Sequence, residues 1–332
     1  MLKPIDFNAE NTKCKWQELY SANECLLPYA SREYNELFKK YFRFNGRRLF
    51  LQQRFYGLYD DHNALIMLVP LCIKGKELHI FGDFGDNEIL DFIYAADLEP
   101  QYFAELLAEL KQKYPNYKLV LTRVAEESLL HQWLQKNGYQ PSHQKSCAKL
   151  CLPASYEQYL AKLTVKTRYN IKKSTTLISQ QEKSYNLKIL RGPIDKATKD
   201  ACFRLYDQRE FERTGKRRPW SSRYARKHYN ALTAACMNES CSLNFCLYIG
   251  TEMVAFESAF LNYDGSRLIS RKTAIDSSFA NLSPGMFLHS QIIKWLITDT
   301  DVKWLDMAGG REHYKYWLGC QEYFCYSYEI QL

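Results

Sequence analysis

Residues 279–295 read FANLSPGMFLHSQIIKW. Leu288, Ile292 and Trp295 fall on one face at helical spacing, so a helix begins at the Ser-Pro-Gly turn. A helix start leaves about four backbone N–H groups unpaired and carries partial positive charge, which makes it a natural seat for a pyrophosphate. Gly285 removes a Cβ that would obstruct close approach. The same residues also read as an ordinary helix start, with Ser283 as N-cap and Pro284 in the first turn. The neighbours on either side have to decide between these readings.

Three strand patterns precede the turn: LNFCLYIG, EMVAFESAFLNY and SRLISRKTAID, separated by the turn pairs Gly250-Thr251 and Asp264-Gly265. After the helix come a strand VKWLDM, a short helix HYKYWLG and a last strand YFCYSYEIQL. Upstream, Pro153 opens this half. Ser155 caps a helix carrying Tyr156, Tyr159, Leu160 and Leu163, and Arg168, Lys172 and Lys173 follow. A strand YNLKILRG and helices KATKDACFRLYDQREF and SSRYARKHYNALTAAC lead into the three strands.

The first half follows a related plan: a meander from Arg47 to Phe84, a helix around Pro100 to Tyr114, a strand KLVLTRV, a helix ended by Gly138, and a strand through SCAKLCL. The expectation is an α+β (mixed α/β) protein of two domains, 1–153 and 154–332, each a mostly antiparallel mixed sheet flanked by helices.

The chain has 332 residues, enough for two cores of ordinary size, with 46% hydrophobic and 25% charged residues, a globular composition. A net charge of +8 permits an anionic ligand without requiring nucleic acid. Eleven cysteines scatter through apolar runs, and the opening MLKPIDFNAENTK has no signal-peptide core, so a cytoplasmic location is expected. Cys236, Cys241 and Cys246 recur every five residues, a spacing longer than zinc sites favour, and no metal is expected. No apolar run approaches the roughly 20 residues that span a bilayer.

Three antiparallel strands, a small-residue turn into a helix, a strand, a helix and a final strand resemble the GNAT acyltransferase superfamily. SYEQYLAKLTVKTRYNIKKS, YIGTEMVAFESAF, LSPGMFLHSQIIKW and LDMAGGREHYKYWLG resemble its cellulose-biosynthesis-type acetyltransferase branch, which is related to the Fem-type aminoacyl ligases. The resemblance covers nearly the whole chain and is strongest from Tyr156 to Gly319. It implies two tandem GNAT-like domains. It further implies acetyl-CoA or another acyl-CoA as co-substrate, held at Ser283, Gly285, Met286 and Phe287. Of the usual signature, a basic or amide residue followed by two glycines, only Gly285 has a counterpart; Ala280 and Ser283 take the other places, and Pro284 has no N–H.

In the run Tyr314-Lys315-Tyr316-Trp317-Leu318-Gly319, Lys315 matches a lysine that stabilises charge in the Fem-type ligases, so by resemblance Tyr314 and Lys315 lie near the acyl carbonyl. Asp306, which ends the strand before the glycine pair, is a further candidate catalytic residue on that reading; the residues equally allow Asp306 to cap the glycine turn and Glu312 to pair with Lys315. Alternation along EMVAFESAF puts Glu257 on the face of Met253, Ala255 and Ala259. It is either a base with a raised pKa or an ion-pair partner of Arg271 or Lys272. His313 reads as a surface histidine. Arg168, Arg271 and the basic run around Arg217 and Trp220 are the candidate contacts to an acceptor; a solvated surface is the alternative for the run. In the first half, Phe81-Gly82-Asp83 with Asp86 form the densest polar turn.

The expected function is acyl-CoA-dependent N- or O-acyl transfer, in the first instance acetyl transfer, to a sugar, nucleotide-sugar or amino-acid-derived acceptor in a ternary complex. A Fem-type ligase using aminoacyl-tRNA and a non-catalytic scaffold are the alternatives, and only the first of these involves nucleic acid.

Overall fold

The computed structural model describes residues 1–42, 51–83, 89–215 and 231–332. The chain forms two compact units, one of residues 1–146 with 323–332 and one of residues 147–322. The boundary therefore falls a few residues before the expected Pro153, and the last strand, β13 (Gln321–Gln331), leaves the second half for the first unit. Its pairing with a strand some two hundred residues away is a matter of long-range register, which local pattern does not encode.

In the first unit the strand order is β1 (Leu2–Pro4), β2 (Leu51–Tyr59), β3 (Leu65–Lys74), β4 (Glu77–Ile80), β6 (Lys118–Ala125) and β13, with β5 (Ile93–Tyr94) beside β3. Neighbours are antiparallel except β4 and β6, which run parallel across the crossover helix α3 (Gln101–Lys113). Helices α1 (Glu10–Ser21), α2 (Arg32–Phe42) and α4 (Leu129–Lys136) complete the unit. Trp16 is buried against Leu19, Leu68 and Ile93, and its Nε1 donates to Ala30 O at 2.9 Å, so the ring is covered without an orphaned N–H.

The second unit orders its strands β7 (His143–Cys151, from Cys147), β12 (Trp304–Gly309), β11 (Arg267–Ile275), β10 (Glu252–Leu261), β9 (Ser242–Ile249) and β8 (Tyr185–Arg191). Gly250 (φ 60°) and Gly265 (φ 73°) occupy the left-handed region that the two expected turns require. The helices are α5 (Tyr156–Lys162), α6 (Val165–Ser179), α7 (Lys196–Thr214), α8 (Pro284–Asp299) and α9 (His313–Trp317). The segment after Ser155 is thus two helices, because Thr164 caps a new one by accepting the N–H of Thr167.

Helix α8 buries Phe287, Leu288, Ile292 and Leu296 in a core shared with Phe245, Val254 and Leu268. As the crossover between β11 and β12 it makes that pair parallel. The pairing covers only Arg267↔Trp304 to Ile269↔Asp306, while β11 runs on to Ile275. Past Ile269 the edge of β11 is open on that side, and the candidate site lies there.

Candidate functional site

A cavity of about 820 Å³ is lined by the free end of β11 (Thr273 to Ile275), by the 3-10 turn after it, and by the start of α8. That is room for a large organic ligand. Ser283, at the N-cap of α8, is left-handed (φ 52°) and its side chain makes no capping hydrogen bond. Phe287 N–H donates to Ser283 O at 3.2 Å and Pro284 has no N–H. This leaves the N–H groups of Gly285 and Met286 without a backbone acceptor among the described residues. Ser283, Gly285 and Met286 all face the cavity. Phe287 does not. It is core, edge-on to Tyr185 at 5.2 Å, because it lies one residue off the exposed stripe of the helix. The missing Cβ of Gly285 serves packing too, since an added one would come within 3.3 Å of Ile275 Cγ2.

Positive charge lines the same cavity. Lys173 of α6 and Arg209 and Arg213 of α7 line the cavity against one carboxylate, Glu212. Arg209 is fixed by donating to Thr273 O at 2.8 Å. Glu212 accepts from Ser277 Oγ at 2.6 Å and Gln208 Nε2 at 3.0 Å, and these two bonds hold its carboxyl below the ordinary value. The sequence pointed to Lys173 only as one of several lysines, and to Arg209 and Arg213 not at all.

A second group sits deeper. Glu257 is 1% exposed, and its Oε1 accepts from Ser270 Oγ. His289 Nδ1 lies 2.9 Å from Glu257 Oε2, out of line for a hydrogen bond, and neither atom has a hydrogen-bond partner among the described residues. The His289 ring stacks on Tyr314, centroids 5.1 Å apart and planes 15° apart, and both rings line the cavity. Burial, then the Glu257 and Glu312 carboxylates, push the Tyr314 phenol well above its usual range.

The ion pair expected between Glu257 and the next strand does not form, because the register sets Glu257 opposite Thr273 while Arg271 lies over the Phe260 ring at 4.4 Å. A bulge at Val254 also breaks the expected alternation: Ala255 and Ala259 join the core under α8, whereas Met253 packs with Phe256 and Cys202. His289, missed in the sequence, lies one helical turn beyond Gly285 on the same face, and that spacing was the available signal.

Lys315 is brought near the cavity but is not in its lining. At 3% exposure its Nζ is turned into its own chain, 2.9 Å from Gly309 O, 3.3 Å from Ala308 O, 3.4 Å from Gly310 O and 3.0 Å from Glu312 Oε2. Its three donors are occupied there, which corrects the expectation of a charge aimed at a carbonyl. Asp306, wholly buried, accepts the N–H of Ala308 at 2.8 Å and so holds the same turn.

Arg168 donates to Leu163 O at 2.6 Å and Leu160 O at 3.3 Å, closing the C-terminus of α5 instead of facing the cavity. Arg168→Met is therefore expected to cost about 1 kcal/mol of stability in urea unfolding and to leave ligand affinity unchanged. Arg217, Trp220, their basic neighbours and Asp86 lie outside the described residues. Among the described residues no three His, Cys, Asp or Glu side chains form a metal-ligand set, and no helix is long and apolar enough to cross a membrane.

Residues 165–316, the part that carries this cavity, match the family model described as an acetyltransferase (GNAT) domain. Curated proteins give no sequence match. Among solved structures, FemX superposes with a TM-score of 0.61 at 9% identity, covering 91% of this chain and 96% of FemX. L-PGS from Bacillus licheniformis gives 0.56 at 13% identity, covering 90% and 91%. A tandem GNAT protein from the clavulanic acid biosynthesis pathway gives 0.55 at 11% identity, covering 99% and 98%. At these identities the likeness is one of fold: a mixed α+β chain in which GNAT-like architecture occurs in tandem.

Proposed function

We propose that the second unit transfers an acyl group from a coenzyme A thioester to a nitrogen or oxygen of a small acceptor, of the sugar, nucleotide-sugar or amino-acid-derived class. The observation that carries this reading is the start of α8, where the N–H groups of Gly285 and Met286, without a backbone acceptor among the described residues, meet a cavity also lined by Lys173, Arg209 and Arg213. Two free amides, a positive helix end and three cations fit a pyrophosphate in chemistry, although the turn has one glycine where the usual signature has two. When bound, the thioester would supply an acyl carbon activated toward a nucleophile.

Each group of residues then has a defined task. The start of α8 holds the phosphates. Lys173 adds charge to the lining, together with Arg209, fixed on Thr273, and Arg213, which also pairs with Glu210 at 2.8 Å. Tyr314 and Trp317 of α9 also line the cavity, and a polar organic acceptor would lie against their aromatic surface. The described cysteines form no disulfide with one another, which fits a reducing compartment such as the cytoplasm.

Calorimetric titration with acetyl-CoA tests the reading. Lys173, exposed on α6, can be reversed without disturbing the core. Lys173→Glu is expected to weaken binding about tenfold or more, and Gly285→Glu, which places a carboxylate at the helix start, to abolish it. Absence of binding by the unaltered protein to acetyl-CoA and to longer acyl-CoAs would overturn the proposal, and salt-dependent binding of charged tRNA in its place would favour a Fem-type donor.

A further inference from the structure

We propose, resting on the reading that an acyl donor occupies this cavity, that His289 accepts the proton of the attacking acceptor and that Glu257 positions it from behind. Glu257 is the carboxylate that sequence pattern offers as a base, but it is 1% exposed, engaged by Ser270 and absent from the cavity wall. His289 is the member of the pair that reaches the cavity. With Nδ1 2.9 Å from Glu257 Oε2, the remaining ring nitrogen is Nε2, and the negative charge beside Nδ1 favours the proton there and leaves Nε2 to accept. The Tyr314 ring stacked on the imidazole limits its rotation.

The pair is also the feature of the site that packing alone explains least. Glu257 Oε2 and His289 Nδ1 are buried polar atoms that lie 2.9 Å apart and have no hydrogen-bond partner among the described residues, and such atoms are uncommon where no chemistry needs them. His289 itself meets Glu257 on β10 and Tyr314 on α9, and around those two among the described residues stand Glu312 and its partner Lys315, Arg209 on α7 and the Cys320 thiol, with Asp306 beside that thiol. Glu312 is taken up by Lys315, and among the described residues Glu257 is the carboxylate in direct reach of the imidazole, 2.9 Å away.

The step balances as follows. A lone pair on the acceptor nitrogen or oxygen forms the new bond to the acyl carbon, and the carbon–sulfur bond breaks with its electron pair going to sulfur. The proton leaving the acceptor passes to His289 Nε2, and His289 returns it to the departing sulfur, which leaves as a thiol.

The test has a spectroscopic and a kinetic arm. In histidine-¹⁵N-labelled protein, the ring signals lost in His289→Gln identify His289, and their nitrogen shifts, which report the tautomer, are compared between unaltered protein and Glu257→Gln. Loss of the carboxylate is expected to move the ring away from the form with its proton on Nδ1. In the kinetic arm, acetyl-CoA is the probe and water the acceptor, with thiol release as readout. His289→Gln is expected to slow release at least about a hundredfold with acetyl-CoA affinity within twofold of unaltered protein. Glu257→Gln should slow release in step with the tautomer it loses. A tautomer indifferent to Glu257→Gln, or release in His289→Gln within threefold of the unaltered protein, overturns the proposal and leaves the pair a packing feature. Failure of the unaltered protein to bind acetyl-CoA counts against the donor reading, and the tautomer comparison still decides whether Glu257 governs His289.

Discussion

Lys315→Met is expected to lower stability by about 3 kcal/mol, read as a fall in the urea midpoint at unchanged slope. Methionine keeps the buried apolar stem and removes the ammonium, so the loss is that of the polar contacts. Gly309, Ala308 and Gly310 carbonyls and the Glu312 carboxylate converge on Nζ. Without it, three carbonyls and a half-exposed acid are left facing an apolar chain. The turn has no cheap alternative. Ala308 is left-handed at φ 53° and Gly310 stands at φ 116°, where an added Cβ would run into the Glu312 carboxyl. Burial alone would raise the Glu312 carboxyl, yet Lys315 and a backbone N–H hold it below its ordinary value.

The consequence reaches the cavity, because this turn sets α9 and with it Tyr314 and Trp317. Acetyl-CoA affinity in Lys315→Met should fall along with stability. A lysine that acted on the substrate carbonyl would behave in the opposite way, leaving the urea midpoint in place and lowering turnover alone.

Lys315 also shows where the sequence stops being legible. The aromatic-lysine run placed that residue near the cavity, but whether the ammonium points out of the turn or into it depends on the backbone at Ala308 and Gly310, and a pair of glycines in a sequence does not specify those angles. The strands from Ser242 to Ile275 and the helix from Pro284 were readable because two turn dipeptides and an apolar helical face punctuate them. Glu257 was readable as a carboxylate inside a buried strand. Its partner was not, since His289 lies thirty-two residues on and only the crossover of α8 over the sheet brings the two within 2.9 Å. The return of β13 to the first unit was hidden for the same reason: nothing in YFCYSYEIQL names β6 as its neighbour. Local chemistry gave the elements, and the contacts that make a site are long-range.

The first unit provides a pH test of a different kind. Asp91 is buried beside Ser128 Oγ at 2.5 Å, Tyr94 Oη at 2.7 Å and its neighbour Phe92 N at 2.7 Å. Burial outweighs these three donors and raises its carboxyl to about 7. An unfolded aspartate titrates near 3.9, so between about pH 4 and 7 the folded state keeps a proton that the unfolded chain has released. The contribution to stability is whole below about pH 4 and is lost as pH rises through 7, by about 4 kcal/mol for a displacement of about three units. Asp83, Asp195 and Glu312, whose carboxyls are held below their ordinary values, contribute in the opposite sense and weaken the fold as pH falls. Asp91→Asn keeps those three and removes the one titration, and its amide can still meet the two hydroxyls and the Phe92 N–H. The stability of unaltered protein minus that of Asp91→Asn is therefore expected to decline by about 4 kcal/mol from pH 4 to pH 8, measured by urea unfolding at each pH. A difference that stays level over that range would mean that the three donors prevail over burial and Asp91 is ionised throughout, as a carboxylate that caps the start of α4 through Ser128 would be.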